Sequence, residues 1–140
     1  RRRTRQLYRD LAPKIVRATG GLMRQLPQSA TDRYLTRIVQ AVRAISGDIP
    51  IVAMTPSPYD SAYYPSQKYH DPARASAFSC AASLDVPMVD IEHPVLHGLA
   101  SGDANPDGLH WSWHTHERVG SKFAGELTAA ISREPRGGAR

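Results

Sequence analysis

Two short apolar segments constrain the fold of this 140-residue chain more than any other feature. Residues 50–56 read PIVAMTP and residues 86–91 read VPMVDI, and such runs are typical of strands buried on both faces. The small, helix-tolerant residues 73–83 lie between them. A strand, a helix and a second strand in this order predict a parallel βαβ crossover, whose sheet needs helices on both faces.

Three further helices are predicted from apolar periodicity. Residues 4–18 have a helical pattern, but Pro13 predicts a break or a kink. A second helix begins at a cap formed by Ser29 or Thr31 and ends before Gly47. Its apolar residues fall on one stripe, namely Leu35, Ile38, Val39, Val42 and Ile45. The last helix covers roughly residues 115–132, with one face formed by Val119, Phe123, Leu127 and Ile131.

The segment SPYDSAYYPSQKYHDP, residues 57–72, is too long and too patterned for an ordinary turn. Loops of this kind are often functional. Because the segment follows the carboxyl end of a strand, Tyr59, Tyr63 and Tyr64 are candidates to contact a polar substrate. The alternative is a loop held together by packing of its own aromatic rings.

Two strands make a small sheet, since open parallel sheets usually have about five or six strands. The chain therefore has the pattern of one half of an α/β domain, and we expect residues 1–140 to be its C-terminal part. Asp90 ends the second strand, and Glu92 and His93 follow it. Capping or surface roles are favoured for these three residues over catalysis.

Charge and cysteine content narrow the functional classes. The net charge is +5, but the arginines crowd both ends of the chain and no aromatic-basic motif accompanies them, so nucleic acid is not an expected partner. No apolar run approaches the ~20 residues of a membrane span, and no secretory signal is visible. Cys80 is the single cysteine, which favours a reducing compartment, and we expect a cytoplasmic protein.

The candidate catalytic residues stand in NPDGLHWSWHTHERVG, residues 105–120. Asp107 and His110 are three apart, a spacing that lets a carboxylate orient an imidazole as a general base. Trp111 is a candidate to line a substrate pocket, and Trp113 a weaker one. A metal site formed by His110, His114 and His116 is the rival interpretation, but no H-E-x-x-H motif is present and no metal is expected.

This block resembles the closing block of the SGNH/GDSL hydrolases, and IPIVAMTPSP (49–58) resembles their penultimate strand region. The resemblance covers roughly residues 29–132 and implies a three-layer α/β/α, flavodoxin-like fold with a parallel sheet. It also implies that Asp107 and His110 belong to a catalytic triad. The family's nucleophilic serine lies in an N-terminal G-D-S block that is absent here. The N-terminal half of the same protein is therefore the expected partner that carries the serine and the oxyanion-hole donors.

Within that family, TDRYL, PSPYDSAYYPS, LDVPMVD and NPDGLHWSWHTHERVG look most like the bacterial diglucosylglycerate octanoyltransferases. The resemblance implies octanoyl-CoA as the acyl-donor substrate, a glucosylglycerate acceptor in methylglucose lipopolysaccharide biosynthesis, and no cofactor. Two alternatives remain open at this point. One is an esterase that acts on a carbohydrate or lipid ester with water as the acceptor. The other is a non-catalytic binding domain in which the D-x-x-H motif is structural.

Overall fold

The computed structural model describes residues 2–19, 26–62, 64, 66, 68–102, 104–105 and 107–132. Within these ranges the chain forms a small parallel sheet of two strands and five helices. In chain order the elements are α1 (Arg2–Thr19), α2 (Gln28–Ile45), β1 (Ala53–Met54), α3 (His70–Ser83), β2 (Met88–Val89), α4 (Glu92–Ala100) and α5 (Trp113–Ser132).

The predicted parallel βαβ crossover is confirmed. Strand β1 pairs with β2 in parallel, with Ala53 opposite Met88, and helix α3 connects the two strands. The Ala53 N–H donates to the Pro87 carbonyl and the Thr55 N–H to the Val89 carbonyl, each over 3.0 Å. The carboxyl ends of both strands therefore lie at one edge of the sheet.

Helices pack on both faces of this sheet. On one face, Val39 of α2 and Ala81 of α3 form a buried cluster with Val86, against which Ala53 and Met88 pack. On the other face, the cluster joins Val89 and Ile91 to Val95 of α4 and Val119 of α5. The alternation of strand side chains between faces explains both clusters. The chain is thus of the α/β class, whereas the three-layer flavodoxin-like sandwich remains a prediction, because the described sheet has two strands.

Of the two alternatives predicted at Pro13, the break is wrong, because α1 runs from Arg2 to Thr19 with this proline inside it, and the kink stays a prediction. The residues on both sides of Pro13 are mostly good helix formers, such as Leu11, Ala12 and Lys14. Their propensity opposes the roughly 3 kcal/mol that an interior proline costs.

The predicted start and apolar stripe of α2 need correction. The helix begins at Gln28 after Pro27, so Ser29 and Thr31 lie inside it and do not cap it. Val39 is buried, but Ile38 is 61% exposed and Ile45 is 84% exposed. The stripe therefore divides into a packed row and an exposed row, because it is wider than the part of the helix that faces the sheet and α3.

Helix α4, with the sequence EHPVLHGLA, was not predicted. Pro94 is the third residue of the helix, where a missing N–H costs no intrahelical hydrogen bond. The Glu92 N–H donates to Asp90 Oδ1 over 3.2 Å, in agreement with the capping role favoured for Asp90.

None of the helices in the described ranges has the length and apolar character that a membrane span requires.

Candidate active site

Asn105 and residues 107–110 belong to a tight turn between α4 and α5. The Gly108 N–H donates to the Asn105 carbonyl over 3.3 Å, and the Asn105 N–H donates to the His110 carbonyl over 3.2 Å. Gly108 is buried and has φ +73°, a left-handed conformation that residues with a side chain rarely adopt. This turn brings Asp107 and His110 side by side.

The carboxylate of Asp107 is fully engaged in the turn. Its Oδ1 accepts the backbone N–H groups of Leu109 (2.9 Å) and His110 (3.0 Å), and its Oδ2 lies 2.5 Å from His110 Nδ1. The backbone N–H of His110, then that of Leu109 and then the His110 ring hold the pKa of Asp107 well below its usual range. Asp107 is therefore ionised at neutral pH.

A carboxylate at Nδ1 determines the protonation of the His110 ring. Asp107 Oδ2 can only accept, so Nδ1 carries the proton and Nε2 of the neutral ring presents a lone pair. Nε2 makes no hydrogen bond to the described residues, and the His110 side chain is 73% exposed. The pair has the arrangement of a general base with its orienting carboxylate, as the D-x-x-H spacing predicted.

The loop after β1 contacts this turn at two points. The Trp111 indole N–H donates to Ser57 Oγ over 3.1 Å, and the Asp60 N–H donates to the Gly108 carbonyl over 2.9 Å. Ser57 was not among the predicted site residues. The sequence holds no signal for this contact, because its two residues are 54 positions apart.

Of the three candidate tyrosines, Tyr59 and Tyr64 are described and Tyr63 lies outside the described residues. The Tyr59 hydroxyl donates to the Ser66 carbonyl over 2.6 Å, and its ring lies edge-on to Tyr64 and to His70. Burial raises the pKa of the Tyr59 phenol, and the Asp71 carboxylate adds to this effect. Tyr59 therefore holds the loop together, whereas Tyr64, whose ring packs against it, remains 38% exposed.

The two tryptophans lie in different environments. Trp111 packs against the buried cluster between the sheet, α4 and α5, and its ring centroid is 5.0 Å from that of His116. Trp113 is 85% exposed at the start of α5. Trp111, which directly follows His110, is thus anchored in the core, whereas Trp113 lies on the surface; a pocket-lining role stays a prediction for both.

The described residues do not bring His110, His114 and His116 together as a metal site. His114 Nδ1 lies 3.5 Å from Glu117 Oε2, and His116 faces Trp111. One other group in this part of the chain could offer three ligand atoms within 4.8 Å of one another: His70, Asp71 and Glu92.

One carboxylate of that group, Glu92, is already paired with an arginine. Arg74 Nε lies 3.0 Å from Glu92 Oε2, and the Arg74 guanidinium also pairs with Asp90. Partial burial by itself would raise the pKa of Asp90, but the hydrogen bonds from Arg74 and from the Glu92 N–H lower it below its ordinary value. This ion-pair network at the carboxyl end of β2 was not predicted, because residues 74 and 90 lie on different elements.

Two curated proteins resemble the chain in sequence, and both are named diglucosylglycerate octanoyltransferase. The protein from Mycolicibacterium hassiacum is 30% identical over 131 residues, which are 93% of this chain and 53% of that protein. The protein from Mycobacterium tuberculosis is 31% identical over 107 residues, which are 75% of this chain and 43% of that protein. No protein-family model matches the chain. No solved structure matches it significantly. The chain therefore spans about half the length of the curated relatives that it matches, and this half contains the Asp107–His110 pair.

Proposed function

We propose that this chain is the base-carrying half of a serine-dependent acyltransferase of the SGNH type. The reaction transfers an octanoyl group from octanoyl-CoA to a hydroxyl of diglucosylglycerate, a step of methylglucose lipopolysaccharide biosynthesis. One observation carries the proposal: His110 Nδ1 is fixed by Asp107 Oδ2 at 2.5 Å, which leaves Nε2 free to take a proton. The names of the two relatives support the choice of acyl group and acceptor.

The chemistry proceeds in two proton-coupled steps. In the first, His110 Nε2 takes the proton of the serine hydroxyl as its oxygen attacks the thioester carbonyl. The C–S bond then breaks, and the CoA thiolate leaves with the proton from the imidazolium. In the second step, Nε2 takes the proton of an acceptor hydroxyl, whose oxygen attacks the acyl-serine. The new ester forms, and the serine recovers its proton from His110.

Asp107 keeps the base in one tautomer throughout this cycle. Its ionised carboxylate stabilises the imidazolium that exists between the two proton transfers. The two backbone N–H groups on Oδ1 hold the carboxylate in place while the charge on the ring changes. The steps need no cofactor, since octanoyl-CoA is consumed as a substrate.

The serine and the oxyanion-hole donors come from a partner half, which corresponds to the part of the relatives that this chain does not match. An open sheet edge supports this assignment. The N–H groups of Ala53 and Thr55 point to β2, so that of Met54 points to the opposite edge of β1. No strand among the described residues lies along that edge, and an unpaired edge of this kind is suited to accept a further strand.

A second apolar row on α2 lies exposed and supports the same partner half. It consists of Tyr34, Ile38, Ala41 and Ile45, which recur at intervals of four, three and four residues. Such a row is normally covered by a neighbouring helix or strand, since exposed apolar patches mark interaction surfaces. The partner half thus extends the sheet at β1 and covers this row of α2.

An esterase with water as the acceptor is the second candidate, because the His110 ring is open to solvent on this half of the protein. The same base would then activate water in the second step. The kinetic partition of the acyl-enzyme between water and diglucosylglycerate separates the two functions. We expect ester formation to exceed hydrolysis when the acceptor is saturating.

The base assignment is tested in the full-length protein that carries this chain, with octanoyl-CoA and diglucosylglycerate as substrates. His110→Ala should lower kcat on the order of 10⁴-fold or more, because removal of the base disables both steps. His114→Ala is the matched control, since it removes an exposed imidazole that also has a carboxylate partner. Undiminished transfer by the His110→Ala protein would contradict the proposed function and favour a non-catalytic binding domain.

A further inference from the structure

The loop after β1 is attached to the Asp107–His110 turn through one side-chain contact and one backbone contact. The side-chain contact joins the Trp111 indole to Ser57 Oγ, and the backbone contact joins Asp60 to Gly108. Strand β1 ends at Met54, so Ser57 stands three residues beyond the sheet. These contacts therefore connect the Asp107–His110 turn to the loop at the carboxyl end of β1.

The hydroxyl of Ser57 is used in both of its hydrogen-bonding roles. Its Oγ–H donates to the Pro58 carbonyl over 3.1 Å, so the lone pairs of Oγ are available to accept the indole N–H of Trp111. No hydrogen bond joins Ser57 to the His110 ring among the described residues. This geometry suits a positioning group and not a nucleophile.

The base depends on such contacts, because its ring has few other constraints. His110 is mostly exposed, and Asp107, which orients it, belongs to the same turn. The Asp107–His110 pair can keep its internal geometry while the whole turn moves relative to the sheet. Misplacement of a reacting group by about 1 Å can cost roughly 10²-fold in rate. A serine held by the sheet therefore needs the turn fixed to the same sheet.

We propose that Ser57 is a positioning residue for the His110 base, an inference that rests on the proposed function. By accepting the indole N–H of Trp111, Ser57 fixes the residue that directly follows His110. Trp111 transmits the position because its ring also packs against the core between the sheet, α4 and α5.

Four variants of the full-length protein test this role through the single-turnover rate of octanoyl-enzyme formation. Ser57→Ala removes the acceptor and Trp111→Phe removes the donor while keeping a ring in the core. Each should lower the rate roughly tenfold, because the loss of one hydrogen bond changes an equilibrium constant by up to about this factor. The KM for octanoyl-CoA should stay unchanged. Ser57→Thr keeps the hydroxyl and should recover most of the rate.

The double variant Ser57→Ala/Trp111→Phe should be no slower than either single variant, because both remove the same hydrogen bond. Ser121→Ala is the matched control, since Ser121 Oγ donates to the Glu117 carbonyl on the exposed side of α5. Its rate should equal that of the wild type. Thermal unfolding of each variant identifies losses of rate that come from loss of the fold.

The outcomes separate the two proposals. A wild-type rate in Ser57→Ala, with His110→Ala inactive, overturns the positioning role and leaves the base assignment intact. Complete loss of acylation in Ser57→Ala, as severe as in His110→Ala, also overturns the positioning role, because it identifies Ser57 as the nucleophile. Additive losses in the double variant count against a shared hydrogen bond. An active His110→Ala protein refutes the proposed function, and with it the role of Ser57.

Discussion

Replacing Asp107 by asparagine should disable the base while leaving the turn folded. The asparagine Oδ1 can accept the same two backbone N–H groups, from Leu109 and His110, that Asp107 Oδ1 accepts. Its Nδ2 then stands where Oδ2 now lies, 2.5 Å from His110 Nδ1. An amide nitrogen donates, so Nδ1 must present a lone pair and the proton moves to Nε2. The base is then blocked at the atom that needs to accept a proton.

The expected size of the effect follows from this change of tautomer. The same substitution in a serine-protease triad lowers kcat by about 10⁴-fold. At about 1.36 kcal/mol per factor of ten, this corresponds to roughly 5.4 kcal/mol of transition-state stabilisation. The substitution should change the unfolding temperature only slightly, because the backbone hydrogen bonds of the turn are kept.

The assay is single-turnover acylation by octanoyl-CoA in the full-length protein, combined with ¹⁵N NMR of the His110 ring to identify the protonated nitrogen. Asp71→Asn is the matched control: Asp71 Oδ1 lies 3.3 Å from His70 Nδ1, and its side chain is 77% exposed. This control should keep the wild-type rate. An Asp107→Asn protein within tenfold of the wild type would refute the reasoning, as would a proton that stays on Nδ1.

Three further predictions concern packing, pH and substrate binding. Gly98→Ala should destabilise the protein by about 1–3 kcal/mol in denaturant unfolding, because the new Cβ would lie 1.9 Å from Thr115 Oγ1. Gly125→Ala is the control and should leave the stability unchanged, since its Cβ would meet nothing within 4 Å. Equal effects of the two substitutions would contradict the packing of α4 against α5. Because the pKa of Asp90 is lowered, its pairing with Arg74 stabilises the folded state above about pH 4, and this stabilisation is lost as the pH falls through the folded pKa. Arg74→Met should therefore reduce the pH dependence of stability only in the acid range. An unchanged acid transition would count against a stabilising Arg74–Asp90 pair. Tyr64→Ala should raise the KM for diglucosylglycerate severalfold and leave the KM for octanoyl-CoA unchanged, whereas equal changes in both constants would argue against contact of the tyrosine loop with the acceptor.

The parts of the fold that were predicted correctly are those whose signals lie within a few neighbouring residues. The apolar runs around Ala53 and Met88 predicted both strands and their parallel pairing, because an intervening helix leaves few other ways to bury them. Predictions at single positions were less successful. Ser29 does not cap α2, and Pro13 does not break α1, since both features depend on the balance of a whole helix.

The exposed row of α2 shows that apolar periodicity does not predict which apolar residues of a helix are buried. Periodicity assigned Ile38 and Ile45 to the same stripe as Val39, because all three are apolar and fall within a sector of about 120° on the helical wheel. It cannot say which part of a wide apolar surface meets the sheet within this chain. The structure shows that Val39 does so, and it leaves Ile38 and Ile45 on the surface.

The pairing of Asp107 with His110 could be predicted from the sequence by itself, because the two residues are three apart in a glycine-containing turn and such a spacing places their side chains close together. The contacts of Ser57 with Trp111 and of Arg74 with Asp90 were decided only by the tertiary structure. Each joins residues that are distant in the chain, and the parallel crossover brings them to the same edge of the sheet. The local spacing thus predicted the Asp107–His110 pair. The placement of this pair relative to the sheet depends on packing between elements that are distant along the chain, for which the sequence carries no local signal.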